Sequence, residues 1–293
     1  MTVTVFTPTF NRAYILPRLY ESLCAQTCKD FEWIIVDDGS SDNTEELVGE
    51  WTNNDNGFDI IYEKKQNGGK HRAINVGVQK ARGELFFIVD SDDHLTPEAV
   101  ELLVRWLGDL DDSHKFAAIS GARGRDVSTY IGGVFKGNND YVDAKNTERE
   151  KHNLTGDKAE AYITSVLKKY PFPEFDGENF ITEEVVWNAI AYDGYYVRWY
   201  KDIIYICDYL DDGLTKSGNA KNRNNPQGVL CWSKMTLKCF PQDFKKKLHA
   251  IYCYYDAVKD KKDISQIAKD LDIGRAFCCI AIMLGNTKRR FFK

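Results

Sequence analysis

Short apolar runs alternate with amphipathic stretches through the first half of the chain. Val3 to Thr7, Phe31 to Val36, Phe58 to Tyr62 and Leu85 to Val89 each have the length of a strand and are rich in β-branched and aromatic residues. Between them, Ile15 to Gln26 and Lys70 to Ala81 place apolar residues at helical spacing. Asp42-Asn43-Thr44-Glu45 opens a further helix, with an acceptor followed three residues later by a carboxylate. Pro97 to Leu110 reads as a helix with Thr96 as its N-cap and Pro97 at its first position, and Ala117 to Ser120 as the next strand. This alternation predicts an α/β chain of βαβ units, with a mostly parallel central sheet flanked by helices.

The second half is less regular. Ser128 to Phe135 reads as a short strand, Lys158 to Lys169 as a helix closed by Pro171 and Pro173, Glu183 to Tyr192 as a helix and Tyr195 to Ile206 as a long aromatic strand. Asp211 to Gly228 is rich in Gly, Asn and charge and reads as a mobile loop. Helices alone follow, at about 231–239, 242–259, 263–270 and 273–285. The composition changes near residue 228, which gives an α/β part over 1–228 and a C-terminal helical region over 229–293.

Composition narrows the class. With 43% hydrophobic and 28% charged residues in 293, the chain is that of a globular protein with a sizeable core. A net charge of -5 gives no global field to attract nucleic acid. Met1 to Phe6 opens directly on a strand pattern without a basic leader, and no segment approaches the ~20 apolar residues that span a bilayer. The eight cysteines lack paired C-x-x-C spacing and mostly sit in apolar stretches, so buried free thiols are expected, in a cytoplasmic chain.

The chemistry concentrates at Leu85-Phe86-Phe87-Ile88-Val89-Asp90-Ser91-Asp92-Asp93, where a buried-strand pattern ends in three acids within four positions. Open α/β sheets bind ligands at the carboxyl ends of their strands. Oxygen ligands at such an edge suit a hard divalent cation that also holds phosphates. A turn that caps the next helix accounts for Thr96 and Pro97, but gives no reason for Asp90, Ser91 and Asp92. Three other strand ends are polar in the same way: Thr7-Pro8-Thr9-Phe10-Asn11-Arg12, Asp37-Asp38-Gly39-Ser40-Ser41-Asp42, and Asn67-Gly68-Gly69-Lys70. A parallel sheet brings all four to one crevice.

These segments, in this order and with Ala73-Ile74-Asn75 after Lys70, resemble glycosyltransferase family 2, inverting enzymes of the GT-A fold. The resemblance is close over about residues 3 to 110, weaker to about 215, and leaves out the C-terminal helices. It implies a GT-A (Rossmann-like) domain in which about 1–110 bind a nucleotide sugar and about 111–228 an acceptor. It also implies a UDP-sugar donor and a Mn²⁺ or Mg²⁺ ion. Carried over to matching positions, Thr7, Pro8, Thr9 and Arg12 line the nucleotide pocket, Asp37 or Asp38 accepts from the base, and Lys70 lies near the diphosphate. Asp90 sits by the ribose and metal, Ser91 beside it, and Asp92 binds the metal. The family carries an acidic pair at a helix start after the sheet. Thr182-Glu183-Glu184-Val185-Val186-Trp187 matches it, ending in Glu184 where Asp is common. Glu184 is then the base for the acceptor hydroxyl, with Glu183 as second candidate. Against this stands the plain attraction of acids to a helix N-terminus.

The implied reaction is metal-dependent transfer, with inversion, to a hydroxyl of a glycan or lipid-linked glycan in cell-surface polysaccharide synthesis. Two rivals are a nucleotidyltransferase of similar fold, which would need a Gly-rich triphosphate loop after Val5, and a non-catalytic sugar-binding subunit, which would need neither acid pair. Other features are weaker. His94 could ligate metal. Tyr195, Tyr196, Trp199, Tyr200 and Tyr205 read as packing rather than sugar platforms. Trp187 could wall the acceptor site, and Lys216, Lys221 and Arg223 could close a lid. The segment 276–293 joins Ala276 to Leu284, apolar, to Lys288-Arg289-Arg290-Phe291-Phe292-Lys293. It suits peripheral contact with the inner membrane face or packing on the domain, and the helices could also serve a homodimer.

Overall fold

Strands β1 (Val3–Thr9), β2 (Phe31–Asp37), β3 (Asp59–Lys64) and β4 (Leu85–Ile88) pair in parallel in the order β3-β2-β1-β4. They are joined by helices α1 (Leu16–Cys24), α2 (Thr44–Thr52) and α3 (Lys70–Lys80). The computed structural model describes residues 1–207 and 218–291. It divides the chain into two compact units, Met1–Pro171 with Asp193–Asp211, and Phe172–Tyr192 with Asp212–Lys293.

The first unit continues with β5 (His94–Leu95), α4 (Ala99–Gly108), β6 (Phe116–Gly124), β7 (Tyr141–Ala144), a 3₁₀ turn (Asn146–His152), β8 (Lys158–Ile163), α5 (Thr164–Leu167) and β9 (Tyr196–Ile206). All nine strands form one sheet, in the order β3-β2-β1-β4-β8-β6-β9-β5, with β7 on the flank of β9. Val3 and Val5 of β1 bury one face of it against Leu16, Leu19 and Leu23 of α1, in a core that also holds Trp33, Phe87, Leu103 and Trp106. On α3, a Cβ at Gly77 would lie 2.2 Å from the Phe6 ring, so only glycine lets the helix approach β1 this closely. That approach fixes the helix whose first residue is Lys70.

Two expectations for the second half are corrected here. Lys158 to Lys169 is not one helix. Lys158–Ile163 is a strand inserted antiparallel between β4 and β6, and only Thr164–Leu167 is helical. Lys, Ala and Glu favour helix, but sheet pairing on both sides overrides that weak preference. Ser128 to Phe135 forms no named strand and contributes a single bridge, Gly124 to Tyr130. None of the eight cysteines forms a disulfide, but only Cys278 is fully buried and Cys24 is exposed.

The second unit is helical: α6 (Glu184–Tyr192), α7 (Gly218–Asn224), α8 (Pro226–Cys239), α9 (Phe244–Val258), α10 (Ile264–Asp270) and α11 (Arg275–Phe291). Its core joins Val229, Ile251, Tyr254, Ile267, Cys278 and Ile282. The expected loop over Asp211 to Gly228 is in part helix, since α7 and the start of α8 fall within it. Lys216 lies outside the described residues. No helix among the described residues is long and apolar enough to cross a membrane.

Candidate active site

The ends of β1 and β2 are laced together. Asn11 takes a left-handed conformation (φ 53°). Its N–H donates to Ser40 Oγ (2.8 Å), and its Oδ1 accepts from Ser41 N–H (2.8 Å). Asp42 accepts from Ala13 N–H (3.0 Å) and from the Thr44 hydroxyl (2.6 Å), which starts α2. Thr7 is buried and its Oγ1 accepts from Trp33 Nε1 (2.9 Å), so this hydroxyl serves the core. Pro8 is half-buried beside it. Thr9 is buried, and its Oγ1 has no hydrogen-bond partner among the described residues.

Both acids after β2 are structural anchors in this state. Asp37 is fully buried, accepts from Ser40 N–H (2.7 Å) and the Tyr62 hydroxyl (2.6 Å), and with burial pushes the Tyr62 phenol well up. Asp38 holds the loop before α3. Its Oδ1 accepts from Lys65 Nζ (2.6 Å) and Gly68 N–H (2.9 Å), its Oδ2 from Gly69 N–H (2.7 Å), and its carbonyl from Asn67 Nδ2 (2.8 Å). The turn that follows them needs Gly39, whose φ is +90° and where a Cβ would lie 2.9 Å from Asn67 N. Clamping this loop sets the start of α3, and so Lys70.

Lys70 Nζ lies 2.6 Å from Asp90 Oδ1 at the end of β4. Burial alone would raise the Asp90 carboxyl, but Lys70 and Arg123 outweigh it and hold it below the usual range. Asp90 to Asp93 form a turn closed by Asp93 N–H on the Asp90 carbonyl (3.1 Å), with Ser91 buried inside it. Burial and the Asp90 charge raise the Asp92 carboxyl, against a smaller opposing pull from Arg12 and Lys70. Burial and Asp90 also raise Asp93, to about 7. Arg12 Nη1 donates to the Tyr14 hydroxyl (2.8 Å). The first unit thus gathers Asp90, Asp92, Lys70 and Arg12 around one strand end.

The fit to a divalent cation rests on Asp90 and Asp92. Both offer hard oxygen donors, and Asp92 makes no ion pair among the described residues. Its carboxyl is held up by burial and, second, by the neighbouring Asp90 charge, which a cation would offset. No three His, Cys, Asp or Glu side chains among the described residues converge on one point. The residues therefore fit an ion that completes its shell from phosphate oxygens and water, as magnesium-type sites do.

The acidic pair belongs to the second unit. Glu184 opens α6 and is exposed, and its Oε2 accepts from Trp232 Nε1 of α8 (2.6 Å). The Glu183 carbonyl accepts from Val186 and Trp187 N–H, so Glu183 sits at the helix entrance. Trp187 is buried, edge-on to Phe172 at 5.9 Å. Lys221 stands 3.4 Å over the Phe180 ring, and Arg223 lies 3.5 Å from Asp256, so both are engaged within this unit.

Several residues here carry no signal in the sequence. Lys65 is an isolated lysine. Tyr205 reaches the acidic turn through pairing of β9 with β5, which puts it opposite Leu95, and Arg123 through pairing of β6 with β9, while Trp232 meets Glu184 through packing of α8 on α6. Of the aromatics over 195–206, Tyr195, Trp199, Tyr200 and Tyr205 are buried as expected, while Tyr196 stacks on His114 at 4.0 Å.

The sheet and its flanking helices are those of the GT-A glycosyltransferase fold. TarS of S. aureus (residues 1-349) superposes with a TM-score of 0.66 at 18% identity, over 100% of this chain and 92% of that one. Its complex with UDP-GlcNAc gives 0.63 at 19% identity, over 94% and 90%. A mannosyltransferase of Pyrobaculum calidifontis, solved with GDP-Man and Mn²⁺, gives 0.53 at 16% identity, over 97% and 86%. The chain belongs to glycosyl transferase family 2, whose model matches residues 4–169. Among curated relatives, glycosyltransferase GlyG of Streptococcus pneumoniae is 33% identical over 109 residues, which are 37% of this chain and 36% of that protein. Chondroitin synthase of Pasteurella multocida is 38% identical over 103 residues, 35% of this chain and 10% of that protein. The chain thus aligns with about a third or less of these relatives' length.

Proposed function

We propose that this chain transfers a sugar from a UDP-sugar to a hydroxyl of a glycan or lipid-linked glycan. The carrying observation is the end of β4, where the Lys70–Asp90 pair at 2.6 Å stands beside an Asp92 carboxylate that makes no ion pair among the described residues. A diphosphate leaving group gathers negative charge as the glycosidic bond breaks, and fixed cations at that point stabilise it. Lys70 and Arg12 supply such cations. Asp90 and Asp92 would hold Mn²⁺ or Mg²⁺, which adds Lewis-acid stabilisation of the same charge. Thr9, with its unpartnered buried hydroxyl, and Pro8 belong to the nucleotide wall, with Asp37 and Asp38 shaping it. UDP-GlcNAc bound to a protein of this fold supports the uridine donor.

Glu184 takes the proton of the acceptor hydroxyl. The acceptor oxygen bonds to the anomeric carbon with inversion, and UDP departs. Glu183 is the alternative base. Trp232 fixes the Glu184 carboxylate by one hydrogen bond and leaves its second oxygen for the acceptor. For the membrane-facing expectation, the support is a stripe on α11, where Ile280, Met283 and Leu284 are 44%, 61% and 44% exposed. These proposals place the chain at the inner membrane face, acting in surface polysaccharide synthesis.

Calorimetric titration of UDP, with Mn²⁺ and then with chelator, tests the donor reading. Binding that needs the metal supports it. No binding in either condition by the folded protein, with UDP or with GDP, refutes it.

A further inference from the structure

The acidic turn is held from below by one phenol. Tyr205 of β9 is fully buried. Its oxygen accepts from Asp90 N–H (2.9 Å), and its hydroxyl donates to Asp93 Oδ2 (2.8 Å), so one side chain grips both ends of the turn. Arg123 of β6 stands over the same ring, Cζ 4.1 Å from its centroid. Its Nη1 lies 3.9 Å from Asp90 Oδ2 and 4.0 Å from Asp93 Oδ2, and its Nε donates to the Lys158 carbonyl (2.9 Å). Register shifts between Ser120 and Arg123 bring Arg123 directly opposite Tyr205 on the neighbouring strand. Phe87 of β4 closes the ring's other contact, edge-on at 6.2 Å.

We propose that Tyr205 and Arg123 are positioning residues of the donor site, which hold the Asp90–Asp93 turn in the form that presents Asp92 to a cation-bound diphosphate. The inference rests on the donor reading above. Three carboxylates within one turn repel each other, and an unbraced turn would relieve that repulsion by splaying. A brace anchored in the sheet keeps the geometry ready before any ligand arrives, so binding need not reorganise it. Neither residue has to touch the substrate. Residues that orient the ligands of a metal typically change its affinity by about 10- to 100-fold when replaced.

The test is UDP binding by calorimetry across a series of Mn²⁺ concentrations, on the full chain and on two variants. Tyr205→Phe keeps the ring and removes both hydrogen bonds. Arg123→Lys keeps the charge and loses the planar guanidinium that lies over the ring and sets Nη1 beside both acids. Each variant is expected to need about 10-fold more Mn²⁺ for half-maximal UDP binding, with full stoichiometry recovered at saturating metal. A merely structural role would lower the melting temperature and leave the Mn²⁺ midpoint where it is, and that result overturns the proposal. If Tyr205→Phe fails to fold, Arg123→Lys decides alone. A wild-type chain that binds neither UDP nor GDP overturns the donor reading, and this inference with it; one that binds UDP equally well without Mn²⁺ overturns this inference only. A wild-type chain that binds normally beside variants with unmoved midpoints overturns this inference only.

Discussion

Asp38→Asn isolates the clamp that sets the position of Lys70. The carboxylate is buried and receives Lys65 Nζ and Gly68 N–H on one oxygen and Gly69 N–H on the other. An amide of the same shape can face its oxygen to only one side. With that oxygen toward Lys65 and Gly68, its NH₂ meets the Gly69 N–H, donor against donor. The lost charge-assisted bond is worth about 1.5–3 kcal/mol, and the half-screened pair with Lys65 adds about 1 kcal/mol. The total is about 3 kcal/mol. If the loop opens only when the unit unfolds, the melting temperature falls by about 2–4 °C per kcal/mol, or roughly 6–12 °C. If the loop detaches by itself, the melting temperature holds, and UDP must restore the loop on binding. Its affinity then drops by up to about 150-fold. Scanning calorimetry and UDP titration on one preparation measure both shares. A melting temperature within a degree of wild type, together with affinity within twofold, would refute the clamp.

Glu184→Ala should abolish sugar transfer to the acceptor while leaving UDP binding within about twofold of wild type; full turnover by this variant would remove Glu184 as the base. Lys158 is buried, and burial, with Arg149 nearby, lowers its ammonium to about 8. Folded chains therefore bind fewer protons there than unfolded ones from about pH 8 to about pH 10.4, and this contribution to stability rises with pH across that window. Lys158→Met should raise stability at pH 7 by about 2 kcal/mol, which is about 3 from the relieved charge less about 1 for the lost bond to the Thr155 carbonyl. The gain should shrink toward pH 10, and melting curves with the same gain at both pH values would contradict it. Met283→Asp on the exposed stripe of α11 should reduce flotation with anionic liposomes, and equal flotation of variant and wild type would sink the membrane contact.

What the sequence revealed depended on how local each signal was. The strand ends at Thr7, Asp37, Lys70 and Asp90 are each written in a few adjacent residues, and the parallel order of β3, β2, β1 and β4 follows from the helices between them. The antiparallel half was not legible in the same way. β8 carries Lys-Ala-Glu-Ala, a helical composition, and is a strand only because β4 and β6 flank it. The brace on the acidic turn was hidden for a related reason. Tyr205 looks like one more packed aromatic in a strand of aromatics, and nothing near it in sequence marks the hydroxyl as a partner of residues far upstream. The lysine that pairs with Asp38 was also missed, since Lys65 belongs to no motif and acts through distance alone.

The bond from Asp90 to Tyr205 spans 115 positions of chain. A ribosome adds about 5–20 residues per second, so on the order of ten seconds separate the synthesis of the acidic turn from that of its brace. During that interval the parallel strands can assemble from neighbouring pieces, while three carboxylates sit at their edge without the phenol that steadies them. Long-range closure of this kind slows folding, and until β8 is made the nascent chain carries this charged edge beside an unpaired flank of β4. The last strand thus completes the sheet and the readiness of its acidic edge in one late step.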